Sequence, residues 1–204
     1  MYIQGVPKLI DHDQRRRDVA DAAWRIIGRD GLLDLSVRNV AEEAGLATAS
    51  LRRSFPTQDD LRAFCLEHAA ERVVERLERI DPQLSPREYC EASLRELLPL
   101  TDESRLEMEV QMSLGALAFT NAAMRVAYDR AHQYLAAGCR RLVNLLAEND
   151  TDYASLSDRV PDEARRLHAF LDGLALHLVH APHDENRAWA EAELAAHLDS
   201  LRGP

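Results

Sequence analysis

Short polar and basic side chains between residues 48 and 53 have the types and spacing that read DNA. Thr48 and Ser50 carry hydroxyls that can hydrogen-bond to base edges, and Arg53 carries a guanidinium that can bind guanine through two parallel hydrogen bonds. Arg52 can hold a phosphate by a charge-assisted hydrogen bond. On one helix these side chains would form a surface that fits a major groove. The alternative is an ordinary solvated, charged helix face.

The segment 36–55, SVRNVAEEAGLATASLRRSF, supplies the elements that would position such a surface. Ala41 is small where two helices would cross closely, and Gly45 can take the left-handed backbone conformation that a tight turn requires. Leu51 is spaced to face back onto the first of the two helices. The segment therefore predicts a helix-turn-helix, whose second helix enters the major groove.

Further phosphate contacts are predicted where helices begin and where arginine is dense. Ser36 and Thr57 begin helices, whose free N–H groups and positive dipole end favour a phosphate. Arg38 falls in the first turn of the first short helix, and an arginine run covers 15–17. The predicted DNA-binding residues are Arg17, Ser36, Arg38, Thr48, Ser50, Arg52, Arg53 and Thr57.

Charge is distributed unevenly along the 204 residues. The formal net charge of −10 argues against a phosphate partner for the chain as a whole. Residues 1–56, however, carry nine basic and eight acidic side chains, against 16 and 27 in residues 57–204. We therefore expect a DNA-binding domain at 1–56 and an effector-binding and dimerisation domain at 57–204.

Apolar residues recur at three- and four-residue spacing throughout, which predicts an all-α protein of about nine helices. The run Ser85-Pro86-Arg87-Glu88 is a helix start, and Thr57 with Asp60 is another. Residues 150–160 are predicted to form a polar loop. Near the C-terminus, Pro182 is expected to stop one helix and Asp184 to cap the last.

The segment from Arg16 to Leu61 resembles the DNA-binding domain of the TetR family of transcriptional regulators, with SVRNVAEEAGLA followed by SLRRSFPTQDDL. The resemblance implies an all-α homodimer whose first three helices bind DNA, and whose remaining helices hold an effector pocket. Arg52, Ser54 and Gln58 stand where most relatives carry phosphate-contacting Tyr, His and Lys. We therefore expect phosphate contacts to depend mainly on Arg52, Arg53 and the arginine run at 15–17. The C-terminal region is similar to that of the choline-responsive repressors.

An effector pocket is predicted between the helix at 103–119 and the helix that follows it. The candidates for its lining are bulky apolar residues with a few polar tips, namely Met108, Met112, Phe119, Tyr128 and His132. The same stripe is also what ordinary core looks like. Charges near it are balanced, so we expect a mostly apolar small molecule that is neutral or cationic. No cofactor is expected.

The last two helices carry broad apolar stripes, which two copies of the chain could bury as a four-helix bundle. The predicted dimer contacts are Leu171, Leu174, Leu178, Leu194 and Leu198. The alternative for Trp189 is that it folds back onto its own chain.

Other chemistry finds little support in the sequence. His177, His180 and His183 are spaced like metal ligands, but Pro182 breaks the helix between them, so no metal site is predicted. Nucleotide-binding and hydrolase motifs are missing, so no catalytic residue is predicted. No apolar run approaches the ~18 residues of a membrane span, and the N-terminus does not read as a secretory signal, so a cytoplasmic protein is expected.

The expected function is that of a repressor released from a palindromic operator by its effector. Two alternatives stay open: an activator on the same fold, and an all-α small-molecule-binding or catalytic protein with a vestigial helix-turn-helix. The near-neutral charge of residues 1–56 favours a working DNA-binding domain over a vestigial one.

Overall fold

The computed structural model describes residues 12–180 and 186–202, and in this part of the chain every regular element is helical. This confirms the all-α prediction. Two short 3-10 helices, Leu32–Asp34 and Thr151–Leu156, lie between longer ones. The α-helices are α1 (His12–Asp30), α2 (Val37–Glu43), α3 (Thr48–Ser54), α4 (Gln58–Leu77), α5 (Pro86–Glu96), α6 (Asp102–Leu117), α7 (Ala122–Asn149), α8 (Val160–His180) and α9 (Arg187–Ser200).

The chain divides into two compact units, an N-terminal unit of Met1–Cys65 and a C-terminal unit of Leu66–Pro204. The division falls inside α4, because Leu61 and Phe64 are buried with the N-terminal unit. The expected domain boundary at 56/57 lies just before this helix. The assignment of effector binding and dimerisation to residues 57–204 stays a prediction.

Helices begin where the sequence places capping residues. Before α5, the Ser85 hydroxyl accepts the N–H of Glu88 at 3.3 Å, while the Glu88 carboxylate accepts the N–H of Ser85 at 3.0 Å. Pro86 occupies the first helical position, where no N–H is needed. Thr101 caps α6 in the same way. These local exchanges satisfy N–H groups that have no partner within the helix.

The structure differs from the predicted elements between residues 150 and 160. This stretch was expected to be a polar loop, but it contains the 3-10 helix Thr151–Leu156, in which Tyr153 and Leu156 are fully buried. The two apolar side chains are three residues apart, which is one 3-10 turn, so both face inward while the polar residues face water. The predicted stop at Pro182 and cap at Asp184 lie outside the described residues.

The C-terminal unit is built around one apolar core to which α5, α7, α8 and α9 all contribute. Leu94, Leu146, Leu167 and Leu194, one from each helix, are fully buried in it. Four helix stripes thus bury one another within a single chain, which is the arrangement of a helical bundle.

A buried carboxylate ties α6 to the second half of α4. Glu107 on α6 is 4% exposed, and it accepts hydrogen bonds from Arg72 Nε at 2.7 Å and from Arg76 Nη1 and Nη2 at 2.9 and 2.8 Å. Arg76 also donates to Glu96 of α5 at 3.0 Å. Because a buried charge is tolerated only when it is paired, these bonds hold three helices in one arrangement.

Replacing Glu107 with alanine leaves Arg72 and Arg76 without their buried partner, and we expect the free energy of unfolding to fall by about 3 kcal/mol. Urea unfolding followed by circular dichroism measures the loss. The control is Glu103→Ala, since Glu103 also pairs with Arg72 but has a 58% exposed side chain and should contribute less than about 1 kcal/mol. Equal losses for the two variants would contradict the role assigned to burial.

Candidate DNA-binding surface and effector site

The turn between α2 and α3 is closed by two backbone hydrogen bonds around a left-handed glycine. Gly45 has φ +66°, its N–H donates to the Glu42 carbonyl at 3.1 Å, and the Leu46 N–H donates to the Ala41 carbonyl at 2.8 Å. Residues with a side chain are strained in this conformation, so glycine is required. Ala41 is fully buried, as its predicted position at the helix crossing demands.

This turn orients α3 so that one face is buried and the other is open to water. Leu51 is fully buried, whereas Arg52 and Arg53 are exposed. Like the exposed Arg38 on α2, both arginines make no hydrogen bond or ion pair with any other described residue. Their guanidinium groups therefore keep their full hydrogen-bonding capacity for a partner outside the chain.

Other predicted contacts on this surface already have partners. Ser50, predicted to read a base edge, accepts a hydrogen bond from Arg15 Nη2 at 2.8 Å, a contact that spacing along the chain did not predict. Arg17 is exposed and donates to Gln14 at 3.0 Å. Thr48 is half-buried at the first position of α3. Arg15 thus extends the basic surface onto α3.

The two helix starts differ in what they offer to a phosphate. The Ser36 oxygen accepts the Asn39 N–H at 3.1 Å, so its own hydrogen can still be donated. The Thr57 hydroxyl and N–H both donate to Asp60, at 2.7 and 2.8 Å. These bonds lower the pKa of Asp60 and keep it charged, and a carboxylate at this point repels a phosphate. The geometry thus disfavours the predicted phosphate contact at Thr57.

Glu43, an acidic residue at the end of α2, is held by two arginines of α1. Glu43 pairs with Arg25 at 2.8 Å and with Arg29 at 3.1 Å, and the hydrogen bonds from these guanidinium groups lower its pKa. Gln58, at the position where relatives carry a lysine, donates to the backbone carbonyl of Leu35. The residue therefore joins the start of α4 to the approach to α2 instead of offering a charge.

A glycine turn that presents a helix with two exposed arginines, neither of them paired with another described residue, defines a helix-turn-helix DNA-binding protein. Comparison with known proteins agrees. Residues 19–63 match the family model described as "Bacterial regulatory proteins, tetR family", and residues 86–203 match "BetI-type transcriptional repressor, C-terminal". The chain belongs to the TetR family of DNA-binding transcriptional regulators, and its C-terminal region is of the BetI type.

Relatives cover almost the whole chain. The HTH-type transcriptional regulator PksA of Bacillus subtilis (strain 168) is 36% identical over 197 residues, 96% of this chain and 94% of that protein. A TetR regulator from Haloarcula marismortui shares the fold with a TM-score of 0.78 at 20% identity, covering 94% of this chain and 100% of its own. The multidrug binding protein EbrR, solved in complex with malachite green, is 26% identical with a TM-score of 0.63, over 94% of this chain and 99% of that one.

The residues predicted to line the effector pocket differ in how far they are buried. Met108, Met112 and Tyr128 are half-buried, and Met108 packs against the core of the C-terminal unit. Phe119 is 80% exposed beneath the guanidinium of Arg125, so the structure does not place it in a cavity lining. Phe119 follows the end of α6 at Leu117, where the chain turns, and its ring therefore leaves the apolar face of that helix.

Tyr128 lies so close to α6 that a side chain at Gly115 would have to displace its ring. A Cβ atom at Gly115 would come within 2.7 Å of Tyr128 Cε2. On its other side Tyr128 stacks against the exposed His132, with ring centroids 6.1 Å apart. The half-buried residues of this region therefore form a packed α6–α7 contact.

The five leucines predicted at the dimer interface lie in the core of their own chain. Each is at most 5% exposed in the single chain. Their burial therefore does not require a second copy, which removes the reason for assigning these side chains to an interface. The set comprises Leu171, Leu174, Leu178, Leu194 and Leu198. The large apolar residues that α8 and α9 expose are Leu176 and Trp189, at 52% and 40%.

Two further predictions concern the histidines near the C-terminus and membrane-spanning helices. His177 and His180 are exposed on α8, and His183 lies outside the described residues. Among the helices that the structure describes, none combines the length and the apolar character needed to span a bilayer.

Arg52 and Arg53 are expected to act differently on DNA. Arg52→Ala should weaken binding to all sequences about equally and reduce the salt dependence by about one phosphate contact, whereas Arg53→Ala should cost about 1–3 kcal/mol of discrimination at one base pair per half-site. Fluorescence anisotropy on selected and mismatched duplexes separates the two effects. Arg141→Ala, which removes an exposed arginine of the C-terminal unit, is the control. Identical specificity profiles for Arg52→Ala and Arg53→Ala would show that the division of roles is wrong.

Proposed function

We propose that this regulator is a homodimeric repressor, which binds a palindromic operator through α3 and leaves it when a small effector binds in the C-terminal unit. The observation that carries the proposal is the pair Arg52 and Arg53, exposed on α3 with no partner among the described residues. The match of residues 86–203 to BetI-type repressors supports repression over activation.

On the operator, the two arginines of α3 have different roles, one in base recognition and the other in phosphate binding. Arg53 binds guanine through two hydrogen bonds, and Arg52 holds a phosphate. Arg38 and Ser36 contact the backbone at the start of α2, and Arg15 reaches the same surface through Ser50. Thr48 and Arg17 complete the contacts. Such a protein works in the cytoplasm and needs no catalytic group.

The dimer forms through the exposed faces of α8 and α9. On α8, Leu176 is exposed beside His177, and the His177 ring lies 5.1 Å from that of Trp189 on α9. Ala188, Ala192 and Ala196 on α9 are exposed at four-residue spacing. An exposed face of apolar and small residues allows two helices to approach closely, so a second copy of the chain fits here.

The effector is a mostly apolar molecule that is neutral or cationic. Arg105 of α6 and Arg125 and Arg130 of the first half of α7, which could hold an anion beside these helices, are already engaged. Arg105 donates to the last carbonyls of α8, at Leu178 and Val179, and the other two pair with carboxylates, Arg125 with Asp129 and Arg130 with Glu67. An anion would be buried without compensation, at a cost of several kcal/mol. The relative EbrR binds malachite green, a cationic dye, which agrees with this choice.

Charged substitutions on the exposed face of α8 and α9 should separate the dimer without unfolding the chain. The variant Leu176→Glu/Trp189→Glu places two carboxylates where the partner would pack, and sedimentation should report a monomer. Val74→Glu, which changes an apolar residue of similar exposure (51%) on α4, is the matched control and should stay dimeric. An unchanged dimer mass for the double variant would refute this interface.

Effector charge can be tested on the wild-type protein with a thermal-shift screen of hydrophobic compounds that differ only in charge. Neutral and cationic compounds should raise the melting temperature and release the operator duplex, while matched acids should do neither. Release by acids alone would overturn the effector class. Repression is tested separately, since deletion of the gene should raise transcription from the bound promoter, and a fall would indicate an activator.

A further inference from the structure

Three side chains that can bind a metal ion meet between α7 and α8. His132 of α7 and His168 and Asp172 of α8 each offer one nitrogen or oxygen atom, and these atoms all lie within 4.8 Å of one another. The two imidazole centroids are 4.4 Å apart, and the Asp172 carboxylate lies 3.6 Å from His168 Nε2. His168 and Asp172 are one helical turn apart, which places them on the same face of α8.

His168 provides a second, independent observation at this point. Its side chain is buried, at 8% exposure, and its Nε2 atom has no hydrogen-bond partner among the described residues. The 3.6 Å to Asp172 is too long for a hydrogen bond. A buried nitrogen left without a partner costs about 1–3 kcal/mol, and a bound ion would remove this cost.

We propose that His132, His168 and Asp172 bind one divalent transition-metal ion of the zinc class, with water at the remaining position. Two imidazoles and one carboxylate are ligands that Zn²⁺ and its neighbours prefer over Mg²⁺ or Ca²⁺. Metal–ligand distances of ~2.0–2.2 Å require ligand atoms ~3.4 Å apart. His132 and Asp172 are both exposed, so rotation of their side chains can bring them inward onto the buried His168.

His132 also contacts Tyr128. The two rings are stacked at an interplanar angle of 16°, and Tyr128 in turn lies against Gly115 of α6. The proposed ion would join α7 to α8 within the C-terminal unit, and the inference does not rest on the proposed function in transcription.

The test is isothermal titration of the untagged full-length protein with Zn²⁺ after removal of metals by dialysis against a chelator. We expect one ion per chain. Asp172→Asn and His132→Gln change exposed side chains, and each should weaken binding by at least about tenfold, as should the buried His168→Gln. His177→Gln and His180→Gln, which alter exposed histidines elsewhere on α8, are the matched controls and should bind like the wild type.

Two results would overturn the site. One is absence of stoichiometric Zn²⁺ binding by the wild-type protein. The other is binding that persists unchanged in both Asp172→Asn and His132→Gln, since the ion would then lie elsewhere. Circular dichroism of the two exposed variants ensures that a lost affinity reflects the missing ligand and not unfolding.

Discussion

The pairing of arginine with carboxylate or other polar groups is the interaction on which the rest of this acidic protein depends. A chain with 35 acidic and 25 basic side chains repels DNA unless its carboxylates are compensated where phosphate approaches. In the N-terminal unit Arg25 and Arg29 hold Glu43, and Asp60 is held by the start of α4. Internal pairing leaves Arg38, Arg52 and Arg53 as the arginines of the unit's described residues without a partner, and these are the arginines that we propose for the DNA-binding surface.

Position on the helix-turn-helix does not by itself decide what a side chain does. Gly45 and Leu51 have the roles that their positions in the motif imply, because a left-handed turn and an inward leucine are needed by any such motif. Gln58 and Thr57, at the start of α4, instead make hydrogen bonds within the protein. Gln58 donates to the Leu35 carbonyl, and the Thr57 hydroxyl donates to the Asp60 carboxylate. In the proposed complex, arginine side chains therefore bind the phosphates.

In the C-terminal unit, burial within one chain changes the interpretation of its apolar stripes. The inward faces of α8 and α9 are buried in the unit's own core. A partner can therefore contact only the residues that these helices leave exposed, such as Leu176 and Trp189. The buried Glu107 provides a second constraint, because it holds α6 against the arginines of α4. A packed core and a paired buried charge together leave few alternative arrangements for these helices.

The sequence alone determined the features that depend on neighbouring residues. Capping residues such as Ser85, the glycine at 45 and the helical period are read within one or two turns, so the helices and the α2–α3 turn could be predicted. The tertiary structure decided whatever joins distant positions: Arg15 with Ser50, the burial of the five leucines within one chain, and the approach of His132 to His168. An apolar stripe shows that a face must be buried but not against what, and a ligand set drawn from two helices exists only once they pack.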